Sequence, residues 1–187
     1  MKKIIPLILL AVCFTLPQQA FSRHTMAISG FGGGNFQIAN TFPNLDIGAG
    51  GGIAFDYRFN QRWGLQTSLS VFDHDGEGAS AGDNGMLLLT LPSVDLKFYF
   101  LKEEHRIDPF VSAGLGINVL TGGSRADNSG GAGMGAQIGL GSDFYITDRF
   151  SLGILTQFKT VGIIRGGGQS SALIFIAALG NFSFHFK

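Results

Sequence analysis

From residue 45 to the end of the chain, apolar side chains alternate with polar or very small ones in long segments. Between residues 45 and 59 every odd position is apolar or small, and the even positions hold Gly, Ala, Asp or Arg. Successive side chains of a β-strand point to opposite faces, so a period of two over this length predicts a long strand with one apolar face.

The same alternation recurs along the chain and predicts eight strands in all. Besides residues 45–59, these strands cover about residues 25–38, 63–71, 93–100, 110–119, 134–146, 150–159 and 174–186. Pro92 should mark a bulge, because proline cannot donate a hydrogen bond to a neighbouring strand.

The connections between these strands alternate between short and long. Residues 60–62, 101–106 and 147–148 make tight connections, whereas residues 39–44, 73–85, 120–132 and 160–170 make longer, polar ones. This arrangement is typical of an antiparallel up-and-down barrel in an outer membrane. In lipid the sheet must close, since an unpaired edge would leave backbone polar groups without partners. The long connections should face outward and the short ones the periplasm.

The first 22 residues have the features of a secretory signal peptide. Lys2 and Lys3 precede an apolar run over residues 4–14, and small residues lead to a predicted cleavage after Ser22. The barrel would then occupy residues 23–187. Cys13 is the only cysteine, so no disulfide or cysteine metal site is expected, and the balance of 13 basic and 13 acidic residues does not indicate nucleic-acid binding.

One ten-residue pattern occurs twice, as DYRFNQRWGL at 56–65 and DFYITDRFSL at 143–152. Both copies fall at a short turn, where the barrel would pass from hydrocarbon to headgroups. Aromatic rings are favoured at this depth. The predicted aromatic girdle comprises Tyr57, Phe59, Trp63, Phe144 and Phe150.

Charged side chains fall on the face that would point into the barrel. The predicted polar network of the lumen comprises Asp56, Arg58, Asp95, Lys97, Asp143 and Lys159. Because eight strands enclose a space that side chains can fill, these groups should form an ion-paired plug. Inward glycines such as Gly50 and Gly116 would leave room, so a narrow polar path for ions or small, possibly apolar, molecules stays open as an alternative.

Several segments carry a family resemblance. LPSVDLKFYF (91–100), PFVSAGLGINV (109–119) and the two Asp–aromatic turns together resemble the OmpA-like, opacity-type outer membrane β-barrel domain. The resemblance implies an integral protein of the Gram-negative outer membrane, with extracellular loops and periplasmic termini. Its partners would be outer membrane lipid, lipopolysaccharide and the barrel assembly machinery, with no cofactor. A structural or surface-interaction role is the function we expect.

A lipid A-modifying enzyme and a soluble ligand-binding barrel fit the sequence less well. A lipid A-modifying enzyme would need a Ser–His–acid site near the outer leaflet, where only His74 of the four histidines is expected, so no enzyme is predicted. The DHDGEG segment (73–78) fits a solvated acidic loop better than a calcium loop. A soluble ligand-binding barrel would instead turn its apolar face inward.

Overall fold

A computed structural model describes residues 26–40, 47–74, 86–101, 106–122, 131–165 and 170–186. In these residues the chain forms one closed barrel of eight antiparallel strands, each paired with the next along the chain. The strands are β1 (Met26–Asn40), β2 (Gly48–Arg58), β3 (Trp63–His74), β4 (Met86–Tyr99), β5 (Ile107–Gly122), β6 (Gly131–Tyr145), β7 (Phe150–Arg165) and β8 (Ser170–Phe186).

The first and last strands close the barrel. Ile28 of β1 lies opposite Phe55 of β2 on one side and opposite Phe184 of β8 on the other. Closure gives each strand two neighbours, so the backbone is satisfied without a free sheet edge. The predicted eight-stranded antiparallel barrel is therefore confirmed. Within the described residues, no helix is long and apolar enough to cross a membrane.

The strand boundaries differ from the predicted ones in the longer connections. β7 continues to Arg165 and β8 begins at Ser170, so the predicted loop over residues 160–170 is too long, and residues 166–169 lie outside the described residues. Thr160, Val161, Ile163 and Ile164 at its start are β-branched, and Val161 pairs with Leu173 across the two strands. The predicted loop 120–132 is also shorter, since β5 ends at Gly122 and β6 begins at Gly131. The predicted signal peptide (1–22) and residues 75–85 lie outside the described residues.

Pro92 lies at an irregularity in β4, as the sequence predicts. The pairing of β4 with β5 shifts register between Thr90 and Ser93. Both of these residues are buried inside the barrel, although three positions separate them. The bulge thus lets β4 keep one face toward the interior on either side of the proline.

The outer wall of the barrel is apolar. Leu152 and Phe184 point outward and are 48% and 40% exposed, whereas Asp95 and Lys97 point inward and are 1% and 4% exposed. A soluble barrel would have the opposite arrangement, so this orientation argues against the soluble alternative.

The inner face differs between the two ends of the barrel. We call the end with the turns at residues 59–62 and 146–149 the short-turn end. The inner face of the opposite half is largely apolar and packs into an apolar cluster of Phe72, Met86, Leu88, Leu120, Val161, Ile163, Leu173, Phe175, Ala177 and Leu179. The expectation of a polar interior is therefore wrong for this half. Near the end opposite the short turns, β4 and β8 carry apolar residues on both faces, as strands buried on both sides do.

Candidate functional site

The lumen near the short-turn end contains two buried ion pairs. Nζ of Lys97 lies 2.6 Å from Oδ1 of Asp56, and Nη1 of Arg58 lies 2.6 Å from Oδ2 of Asp108. The amide of Gln66 also donates to both oxygens of Asp56, at 3.1 and 3.0 Å. These side chains come from β2, β3, β4 and β5, so the network ties four neighbouring strands together across the interior.

Arg58 has further partners beside Asp108. Its guanidinium lies 3.8 Å from the ring centroid of Tyr99, and it donates to the backbone carbonyl of Gln61 in the adjoining turn. The predicted polar network included neither Asp108 nor Tyr99. Asp108 lies two residues before the inward Phe110, so extending the period of two by one step would have placed it in the lumen.

The remaining predicted network residues are held mainly by neutral groups. Asp95 accepts hydrogen bonds from the Gln137 amide, at 2.7 Å to each carboxylate oxygen, and Lys159 donates to Oγ1 of Thr90 at 2.6 Å. Asp143 has a long contact of 3.5 Å from Nδ2 of Asn181. All six predicted residues point inward. Among the described residues only Lys97 and Asp56, of those six, lie within salt-bridge distance of one another.

Two small cavities lie along the lumen. The central one has a volume of about 50 Å³, and the one nearer the short-turn end about 20 Å³. Lys97 and Asn181 line both cavities and therefore stand between them. A cavity needs roughly 10–15 Å³ to hold a water molecule, so these spaces fit isolated small species and not a wide channel.

Inward glycines do not leave the lumen open. A Cβ atom on Gly114 would lie 2.3 Å from Oδ1 of Asp95, and one on Gly50 would lie 2.1 Å from the carbonyl oxygen of Val71. Neighbouring side chains and the adjacent strand already occupy the space beside these glycines. Neighbouring groups therefore fill the room at these two positions, whereas a Cβ on Gly116 would lie 3.1 Å from the Thr90 side chain and 3.2 Å from that of Ser93.

The opposite half of the lumen is filled by the apolar cluster. Leu88 and Phe175 are fully buried there, and His74 packs beside them with its ring centroid 5.6 Å from that of Phe175. Nδ2 of Asn35 lies 3.4 Å from Nε2 of His74. Since His74 points into the lumen and Asp73 points outward, the predicted position of His74 at the outer surface is wrong. The rest of the 73–78 segment lies outside the described residues.

A serine–histidine pair occurs near the short-turn end. Oγ of Ser151 lies 2.7 Å from Nε2 of His185. The serine side chain is fully buried inside the closed wall. Nucleophilic catalysis requires the hydroxyl to reach a substrate carbonyl, so this pair acts as an internal hydrogen bond that joins β7 to β8.

The predicted girdle residues lie on the outer wall around the short turns. Tyr57, Phe59, Trp63, Phe144 and Phe150 are all exposed. Trp63 packs edge-on against Phe98 with a centroid distance of 4.9 Å, and Phe150 packs against Phe184 at 5.2 Å. These rings place aromatic surface around one end of the barrel, which suits a membrane interface.

The two copies of the repeated pattern make the same turn. Oδ1 of Asn60 accepts hydrogen bonds from the backbone N–H groups of Arg62 and Trp63, both at 2.8 Å. Oγ1 of Thr147 accepts from the N–H groups of Arg149 and Phe150, at 3.2 and 3.1 Å. The repeat therefore encodes a side-chain-capped hairpin followed by an outward aromatic ring.

Comparison with known proteins gives a consistent result for the fold. The family model described as "Outer membrane protein beta-barrel domain" matches residues 6–163. No curated protein sequence matches the chain significantly.

Solved structures of several bacterial barrels are similar to this one. Neisserial surface protein A has a TM-score of 0.64 at 12% identity, with 88% of this chain and 98% of that chain covered. OprG from Pseudomonas aeruginosa has a TM-score of 0.59 at 13% identity, with 87% and 96% covered. The N-terminal barrel domain of OprF from the same organism has a TM-score of 0.51 at 18% identity, with 87% and 98% covered.

Proposed function

The chain belongs to the outer membrane protein β-barrel domain family, and from that premise we propose that it is a closed integral barrel with a structural or surface-interaction role. Its apolar wall contacts the lipid of the outer membrane, and its lumen is sealed by its own side chains. The filled lumen is the observation that carries this proposal.

Two barriers in series support a closed lumen. The apolar cluster at one end excludes water and ions, because transferring an ion into apolar surroundings without a partner costs many kcal/mol. The Lys97–Asp56 and Arg58–Asp108 pairs obstruct the other end with side chains bridging different strands. A solute crossing the barrel would have to displace both.

The orientation of the barrel is part of the same proposal. The short-turn end would face the periplasm together with both chain termini, and the connections at the opposite end would face the outside and contact lipopolysaccharide. An impermeant maleimide should label Ser80→Cys on intact cells and Arg149→Cys only after the outer membrane is permeabilised. The reverse labelling pattern would overturn this orientation. Little background labelling is expected, because the only native cysteine, Cys13, lies within the predicted signal peptide.

The two lumen cavities favour a second candidate, a narrow pore for ions or small molecules. They lie in sequence along the barrel and are separated at Lys97 and Asn181. A pore requires that this boundary and the apolar cluster both open, whereas the closed barrel requires that both stay shut.

Planar bilayer recording separates these two functions. The closed barrel predicts no steady conductance for purified protein. As a control, gel mobility before and after heating should show that the protein in these recordings is folded. Lys97→Ala/Phe175→Ala removes side chains from both barriers and should produce conductance, while Lys97→Arg/Phe175→Leu should remain silent. Steady wild-type conductance that increases with salt concentration would support the pore and overturn the closed barrel.

A further inference from the structure

The central cavity has an unusual charge lining. Two lysines, Lys97 and Lys159, line it, and no acidic residue lines it among the described residues. Its other polar walls are amides and hydroxyls, including Gln157, Ser70 and Thr90. The charged residues that line the cavity are therefore both cationic, inside a barrel whose walls are sealed.

Lys97 and Lys159 differ in how their charge is balanced. Lys97 is paired with Asp56 at 2.6 Å. In the described part of the chain, Lys159 has no carboxylate within salt-bridge distance, and its one hydrogen bond goes to Oγ1 of Thr90. An ammonium group has three protons to donate, so two of those on Lys159 are left for the cavity.

In the described residues, no neighbouring carboxylate balances this charge by direct contact. The Thr90 hydroxyl donates in turn to Oδ1 of Asn118 at 2.9 Å and brings no negative charge. Asp95 attracts Lys159 electrostatically, but its oxygens accept hydrogen bonds from Gln137 at 2.7 Å and from Ser93 at 3.3 Å and make no direct contact with Lys159. A buried cation without a counter-charge in direct contact is destabilising, so a small anion would be favoured beside Lys159.

A second donor faces the same space. Gln157 precedes Lys159 by two residues on the inward face of β7, and both side chains line the cavity. Across the residues that the structure describes, the Gln157 side chain makes no hydrogen bond. Its amide N–H₂ group can therefore bind an anion held by the Lys159 ammonium.

We infer that the central cavity is a binding site for one small monovalent anion such as a halide, held by Lys159 and Gln157. The volume of about 50 Å³ fits one such ion together with a few water molecules, since a cavity needs roughly 10–15 Å³ to hold one water. The site goes beyond the proposed structural role, because a lumen closed at both ends could still hold an ion incorporated during folding.

Anomalous diffraction with bromide tests the site in the whole protein. Protein purified from cell envelopes would be unfolded in urea, refolded in detergent with sodium bromide and crystallised, so the ion need not cross the closed wall. We expect an anomalous peak within hydrogen-bonding distance of Nζ of Lys159, absent in Lys159→Met. Water alone in the wild-type cavity, or bromide only at the protein surface, would overturn the inference.

Unfolding in different salts provides a second readout. Sulfate in general stabilises folded proteins, so the readout is the urea midpoint in bromide minus that in sulfate at equal ionic strength, to which specific bromide binding adds a positive contribution. Lys159→Met should reduce this difference, whereas Arg149→Gln, which removes one positive charge from an exposed turn, should preserve it. If the bromide–sulfate difference in urea midpoint is equal in all three proteins, specific binding is contradicted. If Lys159→Met fails to fold, the diffraction experiment on the wild-type protein still tests the site.

Discussion

Lys97 of β4 reaches across β3 inside the barrel and places its ammonium group 2.6 Å from the carboxylate of Asp56 on β2. Gln66, on the intervening strand, donates to the same carboxylate. The pair also stands beside the boundary between the two lumen cavities. This contact therefore both joins three strands and obstructs the lumen.

Breaking this pair from one side should destabilise the barrel. Asp56→Asn leaves the buried Lys97 charge without its partner, and we expect the free energy of unfolding to fall by about 3 kcal/mol. Asp56→Asn/Lys97→Met removes both charges and should recover most of that loss. Urea unfolding in detergent measures the free energy of unfolding of Asp56→Asn, Lys97→Met and the double variant. If the double variant loses as much stability as the two single variants lose together, the pair is not coupled.

The turn caps give a prediction with an internal control. Asn60→Ala removes the oxygen that accepts two backbone hydrogen bonds and should lower the free energy of unfolding by about 1 kcal/mol or more. Asn60→Thr should retain most of the stability, because Thr147 makes the same contacts in the matching turn. Urea unfolding curves of the two variants test this, and equal losses would rule out the capping role.

Inward and outward glycines should respond differently to alanine. A Cβ on Gly114 would lie 2.3 Å from a carboxylate oxygen of Asp95, whereas one on Gly30 would meet nothing within 4 Å. Gly114→Ala should therefore destabilise the barrel by about 1–3 kcal/mol, and Gly30→Ala should have little effect. Thermal unfolding of both proteins in the same detergent measures this, and an unchanged Gly114→Ala would show that the lumen has spare room.

The strand pattern was predictable because the barrel wall separates lipid from interior along most of the chain. A period of two therefore assigned Leu152 and Phe184 to one face and Asp95 and Lys97 to the other. The proline irregularity in β4 was predictable for a similar reason, since a residue that lacks an N–H group must interrupt the pairing.

The filling of the lumen was not predictable from alternation alone. Leu88 and Phe175 lie in segments where both faces are apolar, so no contrast identified their inward face. Continuous apolar runs such as MLLL (86–89) and ALIFIAAL (172–179) were the available signal for a strand buried on both sides. The partners of Arg58 and Lys159 depend on which strands face one another across the barrel, and this needs three-dimensional register.

The placement of two phenylalanines on adjacent strands tests the central arrangement of the barrel. Phe158 of β7 points outward and is 40% exposed, whereas Phe175 of β8, at almost the same depth, is fully buried in the apolar cluster. Trp63 is the only tryptophan, so Trp63→Phe gives a silent background for Phe158→Trp and Phe175→Trp. In vesicles of brominated lipid, the tryptophan fluorescence of Phe158→Trp should be strongly quenched and that of Phe175→Trp nearly unaffected. Equal quenching at the two positions, or stronger quenching at 175, would contradict a barrel with lipid outside and a sealed apolar cluster within.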